Sequence, residues 1–425
     1  MTVIGPADLP EFVRKIDDLG GPGDPRVDDY WRHISYAPAI EIDTGLDPFS
    51  VAYFNAQIAL YKEISGRTLD QTINEHTIFN REAHVTSRNP YNHGDPSALA
   101  TQLVQLATAM RLAKPRRGAR IVDMGCGWGL SSELASYLGL DVEAVDINRD
   151  FVALVSERSQ RYGYDIKPIH ASFDSYVSQT PVDLFLFYEC LHHAVEPWTL
   201  LGRLATMLSP AGKIVACGEP INTHWWPHWG LRLDPMSIYC IHKHGWFESG
   251  WSLEFLTRCL DRALLNVQVT TDPDSSIGQF VIGARDEVLN AEWLHRNSTI
   301  EGGVLDGHYL VAGEKTTLRF CTSVGGGRSE LVIHNFRPRP IKAKVRRDGG
   351  SVARMTFVPG ETRLPVDVIE VGTVLQFESE TWRPSDEIGN LDTRRLAFHI
   401  GGIAPDRQRK IDAAVTLDRV IRIRR

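Results

Sequence analysis

A chain of 425 residues, 43% of them hydrophobic, is too long for one ordinary core, so two or three globular domains are expected. Its formal charge of -7 argues against a dedicated nucleic-acid binder. Six cysteines scattered singly, with no C-x-x-C spacing, suggest neither a zinc site nor a disulfide framework and fit a reducing compartment. Met1 to Asp8 shows no basic segment followed by an apolar run, and no stretch approaches the roughly 20 apolar residues of a membrane span. A cytoplasmic protein is expected.

Residues Met1 to Asp47 are rich in proline, glycine and aspartate, with Gly20-Gly-Pro-Gly-Asp-Pro25 as a breaker cluster. Some of this stretch is expected to be ordered only by packing on the rest. Val51 to Ser65 carries apolar residues at helical intervals (Ala52, Phe54, Ile58, Ala59, Tyr61, Ile64) and ends at Gly66, so a helix with a glycine C-cap is predicted, as part of a lid or an interface. Asn74 to His93 is polar and closes on Gly94-Asp-Pro96; such a stretch is either a solvated linker or a binding loop. Ser97 to Leu112 is a strongly apolar helix.

The organising stretch is Ala119-Arg-Ile-Val-Asp-Met-Gly-Cys-Gly-Trp-Gly129: a short apolar strand, three alternate glycines, then the amphipathic run Leu130 to Leu138. Glycines let the backbone take positive φ and lie bare against a ligand, and free N–H groups at a helix start favour electron-rich atoms. The dinucleotide fingerprint requires a further glycine where Leu130 stands, so a nicotinamide cofactor is disfavoured. The pattern Asp123-x-Gly125-x-Gly127-x-Gly129, followed by the strand Asp141-Val-Glu-Ala-Val-Asp146, resembles motif I of the class I S-adenosylmethionine-dependent methyltransferases. The resemblance implies a seven-stranded Rossmann-like α/β core binding S-adenosyl-L-methionine. Asp123, Gly125, Cys126, Gly127 and Gly129 would then form the cradle, with Asp146 on the ribose hydroxyls and Ile147 beside it. It also makes the polar segment before the core a flap, with Arg88, Tyr91 and His93 as candidates for contacting cofactor or acceptor.

Phe151 to Tyr162 is a helix and Asp165 to His170 a third strand. In the family resembled, the residues after that strand border the adenine, which points to Ser172, Phe173 and Asp174. The fourth strand, Val182 to Tyr188, is almost continuously apolar, as a central parallel strand should be. It runs into Glu189-Cys-Leu-His-His-Ala-Val-Glu-Pro-Trp198; the fifth strand, Gly212 to Gly218, runs into Glu219-Pro-Ile-Asn222. Ligands of open α/β sheets sit outside the carboxyl ends of the strands, so both segments face the glycine turn. His192 or His193 is the expected general base, with Glu189 to orient it or to bind the cofactor's amino group, and Glu219 and His224 in reserve. Glu189, His192, Glu219, His224, His242 and His244 could converge on a metal, but no tight ligand spacing is present and none is expected.

Between the fifth and sixth strands, Thr223 to Phe247 is dense in tryptophan and histidine outside any periodic pattern, which fits either a substrate surface or a flap packed on its own domain. Trp251 to Cys259 is a helix, and Leu264 to Thr270 with Gln279 to Ala284 supply the last two strands. From Leu289 short β-rich runs alternate with turns (Thr316 to Cys321, Ser329 to His334, Ile341 to Val345, Thr373 to Phe377, Leu396 to Ile400), and Arg419 to Arg425 is a final strand. A β-sandwich is expected. Leu331-Val-Ile-His-Asn-Phe-Arg-Pro-Arg-Pro340, Trp382-Arg-Pro-Ser-Asp-Glu387 and Asp392-Thr-Arg-Arg-Leu396 resemble a β-rich module of bacterial polysaccharide-biosynthesis methyltransferases.

The expected division is 1–96 as an N-terminal helical or lid region, 97–288 as the methyltransferase domain and 289–425 as the sandwich. The expected activity is O-methylation of a sugar hydroxyl in a glycan or nucleotide-sugar, the β module binding glycan or making a homodimer contact. A small natural product or lipid-like acceptor, or a non-catalytic cofactor-binding scaffold, are the alternatives.

Overall fold

The computed structural model describes residues 2–92, 94–272 and 278–407. His93 and the strand expected at Arg419 to Arg425 lie outside the described residues. No helix among those described is long and apolar enough to cross a membrane.

Strand β1 (Thr2–Ile4) pairs in parallel with β2 (Ile34–Tyr36), and between them run α1 (Leu9–Asp18) and α2 (Pro25–Trp31). Helix α1 buries Leu9, Phe12 and Ile16, one face at helical spacing. Helix α3 (Val51–Ser65) starts where Ser50 accepts the Tyr53 N–H and stops at Gly66, φ 66°, at the positions the sequence pattern predicts. Short helices α4 (Gln71–Asn74) and α5 (Arg81–Thr86) occupy the polar stretch, and α6 (Pro96–Ala113), capped by Asp95, leads into the central sheet.

That sheet is built from β3 (Arg120–Met124), α7 (Leu130–Tyr137), β4 (Asp141–Asp146), α8 (Arg149–Tyr162), β5 (Ile166–His170), β6 (Val182–Tyr188), α9 (Pro197–Met207) and β7 (Leu208–Cys217). After an insertion holding β8 (Trp229–Leu231), α10 (Pro235–His244) and β9 (Ser249–Trp251), it is completed by α11 (Leu253–Arg262), β10 (Asn266–Thr271) and β11 (Gln279–Ala284). The order β10-β11-β7-β6-β3-β4-β5 forms a seven-stranded sheet, in which β3 pairs in parallel with both β4 and β6. Strand β6 buries six of its seven residues, which explains its unbroken apolar run.

The N-terminal residues and the insertion hold each other through buried polar side chains. Tyr53 donates its hydroxyl to Trp229 O at 2.5 Å, Trp229 Nε1 donates to Pro48 O at 2.8 Å, and Tyr61 donates to Gly245 O at 2.6 Å. Gln57, fully buried, receives the Leu231 N–H at 3.0 Å. Most aromatic residues of the insertion are therefore internal: Trp229, Phe247 and Trp251 are buried.

Contacts divide the chain into two compact units: Met1–Leu201, Lys213–Cys259 and Gln268–Ile282 in one, and Gly202–Gly212, Leu260–Val267 and Gly283–Arg425 in the other. The N-terminal residues thus cluster with the central sheet. In the second unit, β12 (Leu289–Asn290), α12 (Ala291–Asn297), β13 (Ser298–Asp306), β14 (Tyr309–Phe320), β15 (Ser329–Asn335), β16 (Ile341–Arg347), β17 (Val352–Phe357), β18 (Gly360–Val366), β19 (Val374–Ser379), α13 (Pro384–Glu387) and β20 (His399–Ala404) follow in order. The strands join in one nine-stranded antiparallel sheet curled nearly into a barrel around Leu318, Leu331, Phe357, Phe377 and Phe398. The expected sandwich of two separate sheets is corrected: β14 and β20 bridge both halves, so the hydrogen bonding never breaks.

Trp229→Ala removes a buried indole and its bond to Pro48, and is expected to cost about 3–5 kcal/mol in urea unfolding. Met236→Ala, half exposed on α10, is expected to stay within about 0.5 kcal/mol; equal losses would contradict the clasp.

Candidate active site

Beyond β6 the chain turns sharply. Glu189 takes φ 53°, a conformation that a non-glycine residue adopts only when its surroundings impose it. The imposing group is Glu219, just past β7 and 1% exposed. Its Oε1 accepts the N–H groups of Cys190 at 3.0 Å and Leu191 at 2.9 Å, and its Oε2 accepts the His192 N–H at 3.1 Å. The same Oε2 lies 2.9 Å from His192 Nδ1. A carboxylate only accepts, so His192 carries a proton on Nδ1 and turns Nε2 away from Glu219. Gly218 permits this arrangement, because a Cβ there would stand 2.6 Å from Glu189 Cγ. Burial raises the Glu219 carboxyl, but the His192 hydrogen bond and charge, with the backbone N–H groups, outweigh it and hold the group below its usual range.

Three further charged side chains close on the imidazoles. Glu248 Oε2 lies 3.6 Å from His192 Nε2, and Arg232 Nη1 is 3.8 Å from the same oxygen. Glu75 Oε2 makes an ion pair with His193 Nδ1 at 3.3 Å, while Glu75 Oε1 accepts the Phe247 N–H at 2.8 Å. The two histidine rings stand 4.4 Å apart. Burial works against a charge on His193, yet the carboxylates of Glu75, Glu248 and Glu219 push it up to about 9. Glu189 is pushed up to about 7 by burial and then by Glu219. Gln71 donates to His193 O at 2.7 Å, tying the N-terminal wall to the turn.

The glycine turn adjoins this cluster: a Cβ on Gly125 would lie 3.0 Å from Cys190 Sγ and 3.3 Å from Phe173. Gly125, Gly127 and Gly129 all have positive φ. The N–H groups of the turn itself are engaged at these positions. Gly125 and Cys126 give theirs to Val145 O, at 2.8 and 3.0 Å, Gly129 to Cys126 O, and Gly127 to Asp146 Oδ2 at 2.9 Å. What the turn leaves open is the Cα face of Gly127, where an added Cβ would meet nothing within 4 Å. Asp146, buried, also receives the Asn148 N–H on Oδ1 at 2.8 Å, and each oxygen keeps a further lone pair. Beside it lies a cavity of about 440 Å³ lined by Thr72, His76, Ile147, Arg149, His170 and Ser172. A flat open backbone, a buried carboxylate suited to a vicinal diol and an adjoining cavity fit a nucleoside-bearing cofactor.

Other predicted residues fall differently. Asp123 accepts the Ser131 and Ser132 hydroxyls of α7 on Oδ2. Cys126 is buried, Phe173 packs edge-on against Phe187, and Arg88, Asp174 and His224 are exposed. His224 rests on Trp225, His242 bonds to Ile64 O and His244 stacks on Trp246, so these three do not join His192. Tyr91 lies half buried where the charge of Glu189, after burial itself, raises its hydroxyl. The flap closes on the turn: Trp128 stacks with His84 at 4.1 Å and meets Phe79 and Phe151 edge-on at 4.7 and 4.9 Å. Buried Arg158 pairs with Glu133 and donates to His84 O and Ser87 O at 2.7 and 2.8 Å, holding that flap down. Sequence reasoning missed Glu75, Glu248, Gln71 and Arg232; Glu75 lies in the polar stretch singled out, and Glu248 follows the last residue of the insertion as read.

Residues 91–267 match the family model described as a methyltransferase domain. In sequence, the chain is 30% identical over 115 residues to the ubiquinone biosynthesis O-methyltransferase of Xanthomonas euvesicatoria pv. vesicatoria, covering 27% of this chain and 46% of that one. It is 28% identical over 99 residues to the enzyme of the same description from Aeromonas salmonicida, covering 23% and 42%. The chain thus spans less than half the length of these relatives. Among solved structures it overlaps a SAM dependent methyltransferase from Aquifex aeolicus (TM-score 0.35, 16% identity, 49% of this chain and 99% of that one). It also overlaps the magnesium protoporphyrin IX methyltransferase from Synechocystis PCC 6803 with bound SAM (TM-score 0.36, 14% identity, 51% and 98%).

Burial pushes the Asp146 carboxyl up to about 6, its bonds from Asn148 and Gly127 opposing, with His193 lowering it and Glu75 raising it. A ribose diol binds the ionised form, so binding lowers this pKa and affinity for S-adenosyl-L-methionine is expected to fall as pH drops through about 6. Calorimetry between pH 5 and 8 checks this. Asp146→Asn is expected to weaken binding at least tenfold at pH 8 and to flatten the pH dependence; an unchanged profile in the variant would refute the assignment.

Proposed function

We propose that this S-adenosyl-L-methionine-dependent methyltransferase delivers its methyl group to a hydroxyl oxygen, and that the acceptor is a sugar hydroxyl of a glycan or nucleotide-sugar. The carrying observation is the imidazole of His192 locked to Glu219 at 2.9 Å, beside the glycine turn. When bound, the cofactor supplies a methyl group made electrophilic by its sulfonium. The protein's own share is placement and proton removal, since in-line displacement needs the acceptor oxygen in a near-attack position and relieved of its hydrogen.

Gly127 and Asp146 hold the nucleoside end, and Ile147, Ser172 and Phe173 flank its base. Tyr91 and Glu189 stand at the opposite end, over the turn. The acceptor's hydroxyl is directed to the imidazole of His192, which receives the proton, with the His193–Glu75 ion pair beside it. Glu75, Glu189 and Glu248 surround the same space, a lining that rewards a polyhydroxylated acceptor and penalises an apolar ring. Trp246, 6.2 Å from His193, offers one aromatic face for a pyranose. The sequence relatives are O-methyltransferases by description, which supports oxygen as the receiving atom. Their description also names ubiquinone biosynthesis, and this favours a second reading in which the acceptor is a small natural product.

Labelled S-adenosyl-L-methionine, incubated with a panel of glycans, nucleotide-sugars and non-sugar hydroxyl compounds, separates the two. Label in sugars supports the first reading, and label confined to the non-sugar compounds overturns it. His192→Ala and Glu219→Gln are expected to lower kcat by about 10²–10⁴-fold with cofactor affinity retained. His224→Ala, exposed on the insertion, is expected to leave turnover unchanged; full turnover in all three variants would remove the cluster from the chemistry.

A further inference from the structure

Between His192 and Glu248 the structure sets two potential ligand atoms face to face. The Nδ1 proton of His192 is committed to Glu219, and its Nε2 faces Glu248 Oε2 across 3.6 Å. One ring nitrogen of His193 completes a group in which all three ligand atoms lie within 4.8 Å of one another. His193 Nδ1 is buried and makes no aligned hydrogen bond. Around them stand the carboxylates of Glu75, Glu219 and Glu248, against Arg232 at 3.8 Å. The group is thus lined by more electron-pair donors than cations, which suits a bound metal ion.

We infer that a divalent transition-metal ion of the zinc class binds between His192, His193 and Glu248. A tetrahedral ion with bonds of about 2.0–2.2 Å places its ligand atoms about 3.4 Å apart, close to the separation found between Nε2 and Oε2. Two imidazoles and one carboxylate suit zinc, cobalt or iron and disfavour magnesium, which prefers oxygen. Three protein ligands also leave a coordination position open, the hallmark of a site that binds substrate. The contact between Glu219 and His192 Nδ1 is the outer hydrogen bond that such ligands require, fixing both tautomer and ring orientation. Glu248 reaches the group from the far end of the insertion and Glu75 from the N-terminal wall, so the site exists only in the assembled unit.

The inference rests on the reading of this cluster as the acceptor's place and deepens it. In this form of the reading His192 and His193 hold the ion in place of taking the proton themselves: the ion would acidify an acceptor hydroxyl at the open position, and the proton would pass to water. Its O–H bond breaks, an O–C bond forms, and the S–C bond of the sulfonium breaks with its electron pair kept on sulfur.

The test uses the full chain stripped with a chelator and titrated with zinc or cobalt(II), without cofactor. One equivalent is expected to bind, with the visible absorption of four- or five-coordinate cobalt. His192→Ala and Glu248→Gln are each expected to weaken binding at least 100-fold and to abolish that absorption, Glu219→Gln to weaken it about 10–100-fold. His295→Ala, on an exposed histidine, is expected to bind as the native chain does. Glu248→Gln is nearly isosteric, so a folding failure in His192→Ala leaves the result readable. No stoichiometric ion in the native chain, or binding that survives both Glu248→Gln and a folded His192→Ala, overturns the site. Cofactor binding by calorimetry and chelator-resistant methyl transfer, found together with no ion, would defeat the metal alone. Stoichiometric cobalt in a chain that binds no S-adenosyl-L-methionine would uphold the metal and defeat the enzyme reading.

Discussion

The architecture of the site depends on one buried carboxylate. Glu219 collects three backbone N–H groups and an imidazole N–H, and all four lie within the three residues that follow Glu189. Leaving such a group without donors costs about 1–3 kcal/mol for each unmade bond, more for a charge. The turn after β6 therefore cannot relax, and the positive φ of Glu189 persists because the surroundings over-determine it. The same constraint selects the histidine tautomer. Position, protonation and ring orientation at His192 all descend from where β7 ends.

A parallel sheet presents strand ends but no walls. Here the walls come from segments far apart in the chain: residues before the core and the insertion between β7 and α11. They adhere through tyrosine hydroxyls and an indole N–H donated to backbone carbonyls, with Gln57 buried between them. Buried polar bonds of this kind fix register better than apolar packing, because a shift would strand each donor. Register matters, since Glu75 and Glu248 are delivered to the imidazoles by these walls and by no strand of the sheet.

The elements written in local pattern were legible. The strand ends at Met124, Asp146 and Tyr188 and the helix over Val51–Ser65 follow from apolar runs, glycine turns and caps, each a short-range signal. Helix α1 carried Leu9, Phe12 and Ile16 at helical spacing but was hidden by the breaker cluster that follows it. Strands β13, β17 and β18 show more exposed than buried positions and gave no periodic contrast. The curled single sheet has the same alternation as a sandwich, because pairing between distant strands leaves no trace in either strand. In the site, the sheet-end residues His192, Glu219 and Asp146 were legible from the rule that ligands sit at carboxyl ends. Glu75 and Glu248 were not, for their partners lie more than 50 residues away along the chain.

The cluster also bears on why this part of the chain is more than scaffold. Three carboxylates and two imidazoles taken out of water carry a desolvation cost that apolar side chains of similar volume avoid, so stability alone does not call for them. The second unit has a large cluster of buried leucine, isoleucine, phenylalanine and tryptophan under its curled sheet. On the proposed reading, charge gathered at such expense beside the glycine turn serves a reaction whose acceptor must lose a proton before it can accept carbon.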